Sequence, residues 1–90
     1  MKEIVLDGKL MQTKEAAHAY IKAVFRFPAY YGGNLDALYD LLTEMRRQEL
    51  TVTLINGNIL REALGEYGDG IVSCFEDAFT RKGGAVFREE

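Results

Sequence analysis

The chain has one cysteine, one proline and one histidine among its 90 residues. A lone Cys74 excludes an internal disulfide and fits a reducing cytoplasm. With no second histidine to activate it, and with His18 distant in sequence, Cys74 reads as a small packed side chain and not a nucleophile. His18 has no Cys, His or acid spaced to join it as a metal ligand, and it is expected at the surface. No stretch approaches the apolar length of a signal peptide or membrane helix, so the chain is expected to stay in the cytoplasm, away from membranes. Repeats, low-complexity tracts and linkers are lacking too. Basic residues are not in excess: the net charge is −3, which disfavours a nucleic-acid partner met through phosphate neutralisation and suits a basic one. What is present is ordinary for a soluble globular protein, 48% apolar and 28% charged, and the length suits a single domain over residues 1–90.

Residues 3–7 read as a short strand whose unbroken Ile-Val-Leu suits cover on both faces or a place in a parallel sheet. Thr13 caps a helix over about 14–26, with Ala17, Tyr20, Ile21 and Val24 inward, closed by Phe27-Pro28. Leu50 to Ile55 is the clearest strand, β-branched and alternating, after a polar turn at 46–49. Ile59 to Leu64 reads as a short helix. Gly65, Gly68 and Gly70 read as a flexible loop; its spacing fits no nucleotide fingerprint, and Glu66 and Asp69 would repel phosphate. A helix then starts at Asp69 or Gly70 and runs to about Lys82, with Ile71, Val72, Phe75, Ala78 and Phe79 inward and Gly83 as its C′ residue. Gly84 to Arg88 is a third strand. Strands separated by helical connections imply parallel pairing, hence an α/β protein with a three-stranded parallel sheet and helices packed on it.

The most informative stretch is Pro28-Ala29-Tyr30-Tyr31-Gly32-Gly33-Asn34-Leu35-Asp36-Ala37-Leu38-Tyr39-Asp40. The glycine pair lets the backbone turn, and Asn34 suits the N-cap of a helix. From there Leu35, Leu38, Leu41, Leu42 and Met45 fill one arc at helical spacing. Asp36, Asp40 and Glu44 stack on another face, four residues apart, with Tyr39 at the seam. Like charges at that spacing cost a helix roughly 0.2–0.5 kcal/mol per pair. Only Asp36, near the positive end of the dipole, has a helix-stability reason to be there. Either the face awaits a cationic partner, or it is simply solvated, with Arg47 pairing Glu44.

The run PAYYGGNLDALYDLLT resembles the signature of the barstar family, small intracellular inhibitors of secreted ribonucleases. The proline, two tyrosines, glycine, Asn-Leu-Asp-Ala-Leu, aromatic, Asp and following Leu-Thr are all present at the family's spacing. The resemblance implies a two-layer α/β fold with sequential strands. It also implies inhibition by plugging: the helix and the tyrosine-rich loop before it enter a ribonuclease cleft, and one aspartate replaces an RNA phosphate. Carried over by position, Tyr30 belongs to the contacting loop and Asn34, Leu35 and Asp36 open the interface helix. Asp40 matches the phosphate-mimicking acid, Thr43 the motif threonine, and Asp77 a further contacting acid. Tyr39 stands where the family usually has tryptophan. Glu44, in the acidic stack, replaces a residue that is small in the best-known member. Met45 and Arg81 also depart from that member's pattern. Tyr31 has core packing as its alternative.

The resemblance thus points to a non-enzymatic protein, monomeric when unbound and without metal or cofactor, that inhibits a basic ribonuclease and could serve as immunity to a toxin. A barstar-like module for another basic protein or toxin domain is the alternative. An enzyme built on Asp36, Asp40 and Glu44 fares worst, because acids on one exposed helix lack ligands from a second element.

Overall fold

Strand β2 (Leu50–Ile55) runs down the middle of a three-stranded sheet, between β1 (Lys2–Asp7) and β3 (Ala85–Glu89), and both pairings are parallel. This computed structural model describes residues 2–44, 50–82 and 85–90; Met45, the expected polar turn at 46–49 with Arg47, and the expected C′ residue Gly83 lie outside them. The register sets Ile4, Val52 and Phe87 abreast, and Leu6 beside Leu54. Side chains alternate between the faces of a strand, so Ile4, Leu6, Leu50, Val52, Leu54 and Ala85 all enter one core. On the opposite face Val5 and Val86 are 51% and 52% exposed. The unbroken Ile-Val-Leu run therefore belongs to a parallel edge strand with one open face, not to a strand covered on both.

Helices make the second layer: α1 (Lys14–Phe25), α2 (Leu35–Glu44), α3 (Gly57–Leu64) and α4 (Glu66–Lys82). Thr13 starts α1, its hydroxyl accepting from the Ala16 amide at 3.0 Å. Of the stripe this helix was expected to show, Ala17 and Ile21 are buried and Tyr20 and Val24 pack at its margins, while Phe25, outside that stripe, is buried as well. Phe75 of α4 gathers the aromatic part of the core, its ring 5.7 Å from Phe25, 5.8 Å from Phe79 and 5.3 Å from Phe87. Burying a side chain of that size contributes roughly 1.5–3 kcal/mol. Leu38 and Leu42 bring α2 into the same core, which fixes the rotation of that helix and leaves its acidic face outward.

Two expectations about boundaries fail for physical reasons. The first helix is closed by Arg26 in the left-handed conformation, φ 57, with its amide bonded to the Lys22 carbonyl, and not by the pressure of Pro28 on Phe27. The glycine-rich segment at 65–70 is not a loop. Gly65, φ 57, makes the break after α3, and the Asp69 amide already donates back to the Gly65 carbonyl at 3.2 Å. Gly68 and Gly70 lie inside α4, each where a side chain would press on a close neighbour. A Cβ on Gly68 would stand 3.1 Å from the Leu60 carbonyl oxygen, and one on Gly70 would stand 2.8 Å from Leu35 Cδ1. Helix propensity loses about 1 kcal/mol per glycine, and the close crossing of three helices offsets it.

Candidate functional site

After Arg26, the loop before α2 turns inward and then out. The Phe27 ring lies 5.0 Å from that of Tyr31, and the Tyr31 amide donates to the Pro28 carbonyl at 3.0 Å. Tyr30, on the outer side of this turn, is 78% exposed. Gly33 at φ 68 redirects the chain, and Asn34 Oδ1 accepts from the Ala37 amide at 2.8 Å. Asn34 thus caps α2, as its residue type predicts.

The expected stack on α2 is formed: Asp36, Asp40 and Glu44 are all exposed, opposite the buried Leu38 and Leu42. Beside it runs an open groove between α2 and α4. Leu35, Asp36, Tyr39 and Asp40 form one wall, and Gly70, Ser73, Cys74 and Asp77 form the other. Gly70 is the reason the walls approach so closely, since Leu35 occupies the space a side chain would take. Cys74 ties the floor together, its thiol 3.5 Å from the Leu35 carbonyl oxygen. Burial pushes the Cys74 thiol pKa up, and the negative charges of Asp77 and Asp36 add to it. The thiol is thus held in its unreactive form. It also shows that acids from two helices share one electrostatic neighbourhood.

The groove gathers Leu35, Asp36, Tyr39, Asp40 and Asp77 from the expected set. It leaves out four others. Asn34 serves as the cap, and Thr43 donates its hydroxyl to the Asp40 carbonyl at 2.8 Å. Glu44 lies further along α2, and Tyr30 stands on the loop. Tyr39 is half-buried against the core. No ion pair between described residues involves Asp36, Asp40 or Asp77. Among the described residues no three His, Cys, Asp or Glu side chains are gathered as a metal ion requires, and no helix is long and apolar enough to cross a membrane.

One expectation about the surroundings is wrong. His18 is not a surface residue; it is 4% exposed. Its Nδ1 lies 2.5 Å from the Tyr31 hydroxyl and its Nε2 lies 2.6 Å from the Tyr67 hydroxyl. Two tyrosines satisfy both ring nitrogens, which is what makes a buried imidazole tolerable. The groove wall from Ser73 and the Tyr67 contact were also missed. Their partners lie far off in sequence, and helical spacing within α4 alone gives no sign of them.

The family model described as barstar, the barnase inhibitor, matches residues 1–88 of this chain. A protein of Bacillus subtilis (strain 168) named "Putative ribonuclease inhibitor YrdF" is 37% identical over 78 residues, which cover 87% of this chain and 86% of that protein.

Proposed function

The chain belongs to the barstar family, and from that premise we propose that it inhibits a basic ribonuclease by docking α2 and the preceding loop into the enzyme's cleft. Asp40 occupies the place of an RNA phosphate among the enzyme's basic groups. Asp36 and Asp77 flank it from two helices, and Tyr30, Tyr39 and Leu35 supply the area that closes around it. Asn34 holds the end of the interface helix. Thr43 and Glu44 continue that face beyond Asp40.

The observation that carries this reading is the set of exposed acids on both walls of one groove, none of them in an ion pair with another described residue. A carboxylate replacing phosphate has to be desolvated, and guanidinium or ammonium donors in good geometry offset that cost. The tyrosines suit such a site because each can bury its ring while its hydroxyl stays paired. No step of this mechanism asks the chain to make or break a covalent bond.

The test is titration of barnase and other basic secreted ribonucleases with the protein, reading RNA hydrolysis and binding heat. Loss of hydrolysis at one inhibitor per enzyme is expected, with a monomeric free protein in sedimentation. Full hydrolysis and no heat with every enzyme tried would overturn the reading and leave a different basic protein as the partner.

A further inference from the structure

The hydrogen-bonded row Tyr31–His18–Tyr67 crosses three parts of the molecule. Tyr31 belongs to the loop that presents Tyr30, His18 to α1, and Tyr67 to the first turn of α4, the helix that forms the second wall of the groove. The His18 ring lies 5.7 Å from that of Tyr31 and 5.8 Å from that of Tyr67, the latter edge-on at 80°. Apart from the turn bond from Tyr31 to Pro28, the described hydrogen bonds give residues 28–33 no other tie to the body of the protein. A loop is held only as well as its few buried contacts allow.

We propose that His18 and Tyr67 are positioning residues for the docking face: through Tyr31 they hold the loop that carries Tyr30 in one arrangement, and protonation of His18 releases it. The proposal rests on the docking function above for its consequence, but not for its physical content.

The chemistry of the ring gives the direction. A neutral imidazole has one N–H and one bare nitrogen. One tyrosine hydroxyl therefore donates into the ring and the other accepts from it. A protonated ring donates from both nitrogens, so the donating tyrosine has to turn its hydrogen away and find another acceptor. The new charge is also buried. The ionisable groups around the row are the two tyrosines, Cys74 close to both of them, Glu15 close to Tyr67, and Lys14, whose Nζ lies 4.6 Å over the Tyr67 ring. Burial is the dominant influence and holds the His18 pKa below its usual 6.5, so Glu15 does not compensate. The neutral form belongs to the folded, tethered state, and the tether is complete above pH 6.5 and is lost as pH falls.

The experiment follows protection of the Tyr31 amide from hydrogen exchange, normalised to the unstructured rate, between pH 5 and 8, with amides of β2 as the reference. In the wild type, Tyr31 protection is expected to drop about tenfold toward pH 5, one neutral hydrogen bond's worth, while β2 does not change. Tyr67→Phe should show the lowered protection already at pH 8. His18→Gln keeps one donor and one acceptor, and should retain protection with no pH dependence. Barnase affinity of the same proteins should follow Tyr31 protection. If Tyr31 protection is the same in Tyr67→Phe as in the wild type, or the His18→Gln profile still bends near pH 6, the tether is wrong. If exchange behaves as expected but wild-type protein leaves every basic ribonuclease tried active, the tether stands and the docking function falls.

Discussion

Helix α4 contributes acids to two clusters that behave in opposite ways. Asp69, near its start, accepts from Arg61 Nε at 2.9 Å. The same guanidinium holds Glu89 of β3 with both of its terminal nitrogens. Those hydrogen bonds raise the Arg61 pKa and hold the Glu89 carboxyl below its usual value. Two turns further along α4, about 12 Å away, Asp77 faces Asp36 and Asp40 across the groove, and none of the three forms an ion pair with another described residue. In the first cluster the counter-charge is built into the chain, and three elements are stapled by it. In the second, no ion pair among the described residues offsets the repulsion between Asp36 and Asp40. If the groove acids serve a partner, as proposed, that partner supplies their cation.

The sharpest way to break this contrast is Asp40→Ala. If Asp40 meets buried basic groups of the ribonuclease, its removal leaves them unpaired, and binding to barnase should weaken by roughly 3–5 kcal/mol. The free protein should be no less stable. The substitution relieves repulsion worth about 0.2–0.5 kcal/mol per pair, and the Thr43 hydroxyl keeps its bond, because that bond goes to the Asp40 carbonyl. Calorimetry and a thermal melt of the unbound protein read the two sides. Wild-type affinity would remove Asp40 from the interface, and unfolding would make it structural.

Arg61→Met asks the opposite question and should give the opposite answer. Its side chains are about a third to two-thirds exposed, so solvent screens the cluster and the loss should be about 1 kcal/mol of stability with barnase affinity unchanged. The pH dependence has a definite sign. Glu89 has a depressed pKa in the folded state, so its contribution is full above the usual 4.5 and is lost as pH falls through the folded value. The gap between the two melting temperatures should be constant from pH 5 to 8 and narrow below about 4.5. A change in barnase affinity would mean the clusters are not separate.

What the sequence made legible follows the same division. The acidic face of α2 could be seen because helical spacing alone decides which side chains share an arc, and Leu38 and Leu42 then turn Asp36 and Asp40 outward. The strand at 50–55 could be seen because alternation and β-branching are local. Contacts between elements could not. Gly68 and Gly70 look like loop residues until Leu60 and Leu35 are found pressed against them. His18 looks like a surface residue until Tyr31, 13 residues on, and Tyr67, 49 residues on, are found at its ring nitrogens. Arg61 and Glu89, 28 residues apart, gave no local sign of pairing. Local periodicity places a side chain on its element's face; it does not say what the next element brings to that face.

The smallest expected effect separates steering from plugging within the acidic cluster itself. Asp77 is exposed on the far wall, so a partner's cation approaching the groove feels it first through water. At a separation of ~10 Å in water, one unit charge contributes ~0.4 kcal/mol, which is about twofold in an encounter rate. At physiological salt the screening length is about 8 Å and little of that remains. Asp77→Asn should therefore slow association with barnase about twofold at low ionic strength, scarcely at all in physiological salt, and leave dissociation unchanged. Its stability should stay within about 0.5 kcal/mol of wild type, because the side chain is exposed and forms no ion pair with another described residue. Stopped-flow mixing at two salt concentrations reads both rates. Should dissociation quicken instead, by a factor that salt does not alter, then Asp77 meets a desolvated cation in the complex. It would then stand with Asp40 as part of the plug, and the groove would hold two buried carboxylates, not one with steering acids around it.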